Sequence, residues 1–133
     1  MKSVTVKCKN DWQHVNAYVT DLIIESNCCN EEDLTTVDFS QFKNLKSVKI
    51  GDNCFIHAKE VIFSNMQNLK TIEIGEKGFT EYRNWNSWPD EARDAHFICT
   101  NNTQLISLII GRYSFSDFNE CKLESKLNSS CNQ

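Results

Sequence analysis

One proline and four glycines in 133 residues exclude a collagen-like, low-complexity or linker-dominated chain. Positive charge is also short: 14 Lys and Arg stand against 18 Asp and Glu, a formal balance of −4. Duplex nucleic acid demands a broad basic field. The small groups Lys2, Lys7, Lys9 and Lys43, Lys46, Lys49 read as solvated faces instead. No apolar run approaches the ~20 residues of a membrane-spanning helix. The opening MKSVTVKCKNDW has no hydrophobic signal region, so the expected compartment is the cytoplasm; a surface or secreted location applies if the chain is a fragment of a longer protein. His-Glu-x-x-His, Cys-x-x-Cys and P-loop motifs are missing. Cys54 and His57 are close in sequence, but no third partner or oxyanion donor accompanies them. Neither metal, cofactor nor catalysis is expected.

What is present points to a folded globule: 40% hydrophobic and 11% aromatic residues, with one domain as the natural division at this length. Seven cysteines cannot all pair within one chain, which fits a reducing compartment. The sequons at Asn101 and Asn128 are chance matches on that view.

The most informative feature is internal similarity. IGDNCF at 50–55 returns as IGEKGF at 74–79 and IGRYSF at 110–115. FKNLKSVKIGDNCF (42–55) lies over MQNLKTIEIGEKGF (66–79), an offset of 24, which aligns Leu45 with Leu69, Val48 with Ile72, Ile50 with Ile74 and Phe55 with Phe79. The next copy, with Leu105, Leu108, Ile110 and Phe115, follows after 36 residues, which is 24 plus an insertion of 12. A degenerate copy at 19–29 supplies Val19, Leu22, Ile24 and Cys29. A second segment shares the frame: Val37, Val61 and Phe97 correspond, as do Phe39, Phe63 and Cys99, and Cys121 and Leu123 begin a further one.

Each copy thus holds two short stretches of period-two alternation, the mark of a strand, and the glycine after the first stretch is expected to make a positive-φ corner. One such unit cannot bury its apolar face alone, whereas stacked units can. Cys28, Cys29, Cys54, Cys99 and Cys121 fall on core positions, where a free thiol acts as a small hydrophobe. Val4, Val6 and Cys8 alternate as a capping strand, with Trp12 behind it.

The L-x-x-I-x-I spacing of Leu45-Val48-Ile50, Leu69-Ile72-Ile74 and Leu105-Leu108-Ile110, followed by IG-x-x-small-Phe, resembles leucine-rich repeats of the BspA-like subtype. The resemblance implies a mainly β chain, a short right-handed parallel β-solenoid of about four coils of 24 residues. Residues 1–18 would cap it, 19–125 form the solenoid with the insertion at about 80–93, and 126–133 form a polar tail. It also implies a non-catalytic protein-binding module with a protein partner, presenting the non-consensus strand positions. Among these, Lys49, Glu73, Ile106 and Ile109 are candidate contacts; the apolar ones read as a hot spot or as tolerated residues on a solvated sheet face. The insertion adds Tyr82, Arg83, Trp85 and Trp88, types enriched in interface hot spots. It either contacts a partner or folds back over the solenoid edge. The C-terminal coil reads as incomplete, and an open edge invites association. A self-associating assembly protein is therefore the alternative function and a possible homo-oligomer its form, with a small hydrolase third. Neither nucleic acid nor membrane is an expected partner.

Overall fold

The computed structural model describes residues 2–84 and 91–124. Among them the chain is mainly β, and every strand pairing is parallel. One sheet holds five strands in the order β1 (Ser3–Val6), β2 (Asp21–Ile24), β4 (Ser47–Ile50), β6 (Thr71–Ile74) and β8 (Ser107–Ile110). The other holds β3 (Thr36–Asp38), β5 (Glu60–Ser64), β7 (Arg93–Thr100) and β9 (Phe118–Glu124). Parallel neighbours need a crossover. From β2 onward each crossover is a strand of the opposite sheet. Between β1 and β2 it contains the short helix α1 (Lys9–Gln13).

The sequence dictates this pairing through its alternation. In β2, β4 and β6 the second and fourth residues are buried and the third is exposed. A one-residue slip would turn each apolar pair to water. The observed register sets Leu22 beside Val48, Val48 beside Ile72, and Ile72 beside Leu108. Across the interior, Val37 pairs with Val61 and Val61 with Phe97.

At the corners after the five-stranded sheet, backbone approaches backbone closely. A Cβ on Gly111 would lie 2.4 Å from the Gly75 carbonyl carbon, and one on Gly75 would lie 2.8 Å from that of Gly51. Here the glycines are needed for close approach, not for φ. None has positive φ; the left-handed residues are their neighbours, Asn53 and Phe55, Lys77 and Phe79, Tyr113 and Phe115. A bulky residue held there costs on the order of 1–3 kcal/mol. The compensation is burial: Phe55, Phe79 and Phe115 are fully buried. Their rings stack at 5.5 Å and 4.8 Å between centroids. A second column, Phe39, Phe63 and Phe97, lies beside the first and meets it where Phe97 stacks on Phe115 at 4.5 Å.

Trp12 of α1 ends this array, at 5.3 Å from Phe39 and 5.2 Å from Phe55. That explains Cys29, which occupies the phenylalanine position of the first copy: the indole lies over Phe55, so a small residue suffices. At the other end nothing described pairs beyond β8 and β9, and Leu108, Ile110, Cys121 and Leu123 are only half-buried.

Two cysteine expectations are corrected. Cys8 does not continue the β1 alternation; it is exposed at the N-cap of α1. Cys121 is not a free thiol filling the core but is disulfide-bonded. The other assigned thiols, Cys28, Cys29, Cys54 and Cys99, are free and buried, and burial pushes Cys54 and Cys99 each up to about 11.

Two substitutions test the corner packing. Phe55→Ala should cost roughly 3–5 kcal/mol in denaturant unfolding; a loss below about 1 kcal/mol would contradict the ring column. Gly111→Ala, which at an unstrained negative-φ site often stabilises by about 0.4–1 kcal/mol, should instead lower the melting temperature.

Candidate interaction surface

The outward face of the five-stranded sheet is built by the first and third residues of its strands, the first half-buried and the third exposed from β2 onward. Register aligns them in two rows: Ser3, Asp21, Ser47, Thr71, Ser107 and Thr5, Ile23, Lys49, Glu73, Ile109. A shallow depression of about 460 Å³ runs across this face between Asp21 and Ile109.

The first row is hydroxyl-rich and centred on Asp21. The Ser47 hydroxyl donates to Asp21 Oδ1 at 2.7 Å, and the Thr20 hydroxyl lies 3.0 Å from Oδ2 and equally near the Lys2 carbonyl. These hydrogen bonds, Ser47 first, hold the Asp21 carboxyl below the usual carboxylate range. The second row places charge between Ile23 and Ile109. Lys49 Nζ lies 3.5 Å from Glu73 Oε2, with both side chains largely exposed, an arrangement worth little in stability. Ile23 is 41% and Ile109 54% exposed.

Of the residues singled out in the sequence, Lys49, Glu73 and Ile109 therefore lie together on one face. Ile106 lies just ahead of β8 at 70% exposure, its amide donating to the Lys70 carbonyl. Tyr82 and Arg83 are elsewhere. They follow the Phe79 corner, and Arg83 Nη1 donates to Asn53 Oδ1 at 3.0 Å, beyond the end of β4. Trp85 and Trp88 lie outside the described residues.

Two features escaped the sequence reading. Tyr18, 72% exposed just before β2, is the most exposed large apolar side chain of the described residues. The second is a charged set at the start of β7. Arg93 Nε donates to Asp117 Oδ2 at 2.8 Å, and the Glu81 amide donates to the same oxygen at 3.1 Å. His57 Nδ1 is 2.8 Å from Glu81 Oε2, and this contact, ahead of the Arg93 charge, draws the Glu81 carboxyl down. Arg93 Nη1 is 3.6 Å from Glu81, beyond hydrogen bonding, and has no hydrogen-bond partner among the described residues. The set pins the return from the insertion to Asp117. Its signal was the 24-residue spacing of His57 to Glu81 and of Arg93 to Asp117.

Among the described residues, no three His, Cys, Asp or Glu side chains meet as a metal site, and no helix is long and apolar enough to cross a membrane. Comparison with protein-family models, curated proteins and solved structures finds no match for the chain.

The Asp21 cluster yields a pH prediction. A carboxyl whose folded pKa is depressed contributes stability above its unfolded pKa, about 3.9, and loses it as pH falls through the folded value. Ser47→Ala should raise the Asp21 titration midpoint in an NMR titration, and its small stability deficit should vanish once both proteins are acidified below that range. An unchanged midpoint would remove Ser47 as the cause.

Proposed function

We propose that the chain is a protein-interaction module, a short parallel β-solenoid of leucine-rich-repeat, BspA-like type that binds a protein partner through the outward face of its five-stranded sheet and does no chemistry. The solenoid reading is supported by the alternation of strands between two sheets and by the 24-residue offset between β4 and β6. The observation that carries the binding reading is the exposure of Ile109, 54%, at the β8 end of the face, with Ile106, 70% exposed, just ahead of that strand. Apolar anchors flanked by polar residues are the usual composition of a contact centre.

Size bounds the affinity. Five strands at roughly 4.8 Å spacing, each about 13 Å long, give a face on the order of 300 Å². A standard interface buries about 800 Å² per partner. The face therefore supplies an anchor, and tight binding draws on further surface such as Tyr18 or the insertion with Tyr82, Arg83, Trp85 and Trp88. A partner captured by the wild-type chain should lose at least about 30-fold in affinity with Ile106→Ala/Ile109→Ala, the scale of a hot-spot loss. The melting temperature should stay nearly unchanged, because both side chains are exposed. Undiminished binding would place the contact elsewhere.

A second reading has its own support. The outer edges of β8 and β9 are unpaired among the described residues and are flanked by half-buried Leu108, Ile110 and Leu123. Such edges accept a strand from another copy. Light scattering tests it: self-association raises the mass above the 15.4 kDa of one chain with concentration, and a constant monomer mass would remove this reading.

A further inference from the structure

The interaction reading leaves unused a pair of thiols at the α1 end. Cys28 and Cys29 are adjacent in sequence, free and each only 3% exposed. Their Sγ atoms are 2.8 Å apart. Cys29 has φ of 65°, a left-handed turn of the backbone that brings the two side chains to the same side. They border a cavity of about 340 Å³, which Lys7, exposed Cys8, Asn30 and Glu31 also line. Cys54 lies close by but is committed elsewhere, its Sγ donating to the Glu25 carbonyl at 3.1 Å.

We propose that Cys28 and Cys29 form a dithiol site that captures a trivalent thiophilic metalloid, with a monosubstituted arsenical as the representative ligand.

Three chemistries compete for two adjacent thiols, and the structure separates them. A divalent soft cation requires thiolates. Burial pushes both thiols upward, Cys29 far beyond its ordinary value, and no third ligand side chain joins them among the described residues. Closure to a disulfide would join Cα atoms about 3.8 Å apart, short of the roughly 4.4–6.8 Å that unstrained disulfides span, so that bond would be strained and readily reduced. Condensation with a trivalent arsenical has neither obstacle. R–As(OH)₂ and two S–H groups give R–As(S–)₂ and two waters. Two As–S bonds replace two As–O bonds, each thiol proton leaves with a hydroxide, no charge is created and no oxidant is consumed. Neutral, buried thiols suit this reaction, and the cavity provides the approach.

The test uses the folded full-length chain and phenylarsine oxide, whose hydrate has this form. Intact-mass analysis should show one phenylarsenic group per chain. The adduct should survive a monothiol and be removed by 2,3-dimercaptopropanol. It should be lost in Cys28→Ser and in Cys29→Ser and retained in Cys8→Ser. Differential alkylation of the wild-type adduct, which depends on no variant folding, should find Cys28 and Cys29 as the two blocked thiols. Absence of an adduct on the folded chain, an adduct removed by a monothiol, or blocking of any other pair such as Cys8 with Cys28 would overturn the assignment.

Discussion

The close approach of backbone at the glycine corners is the constraint from which the remaining structure follows. Gly111 over Gly75, and Gly75 over Gly51, leave no room for a Cβ. Strands ending in these corners can stack only in one register, with Ile50, Ile74 and Ile110 side by side. The same turn forces Phe55, Phe79 and Phe115 into left-handed conformations, aiming their rings inward. Conformational strain at each corner is thereby exchanged for an aromatic column that buries on the order of 150–250 Å² per ring. Loss of the column would leave strained corners without compensation, and loss of the corners would leave the rings without alignment.

The outward face is a by-product of that register. Because the third residue of each of these strands points away from the core, Ile23, Lys49, Glu73 and Ile109 have no alternative to exposure. The Lys49–Glu73 pair neutralises the middle of the row and leaves apolar side chains toward both ends. This is the pattern on which the binding proposal rests. The two ends of the molecule differ: Trp12 covers the aromatic array on one side, while β8 and β9 stand at the other with half-buried aliphatic residues.

Much of the pairing was legible in the sequence, because residues aligned at an offset of 24, such as Val48 with Ile72, are the residues that pair. Alternation and β-branched content fix which side each residue faces, and both are local. The misses came from effects that are not local. Glycine was expected to supply positive φ, yet asparagine, lysine, tyrosine and phenylalanine do so; glycine is needed because a neighbouring backbone approaches, which no single segment reveals. Cys8 fits a strand alternation but belongs to the cap of α1, since the chain must cross from β1 to β2. Cys121 fits the core frame but forms a disulfide, and sequence frame alone does not distinguish a bonded sulfur from a free one. On the candidate surface, Lys49, Glu73 and Ile109 were placed correctly on one face by alternation. Tyr82 and Arg83 were assigned to the insertion by residue type, and they lie there, past the Phe79 corner and off the sheet face.

The central claim is in-register parallel stacking, and cross-strand proton contacts in NMR test it most directly. Parallel pairing predicts amide-to-α-proton contacts linking β4 to β6 between residues about 24 apart, and β6 to β8 between residues about 36 apart, as the register of Ile50, Ile74 and Ile110 requires. Close α-proton to α-proton contacts between those segments, the sign of antiparallel neighbours, would contradict it.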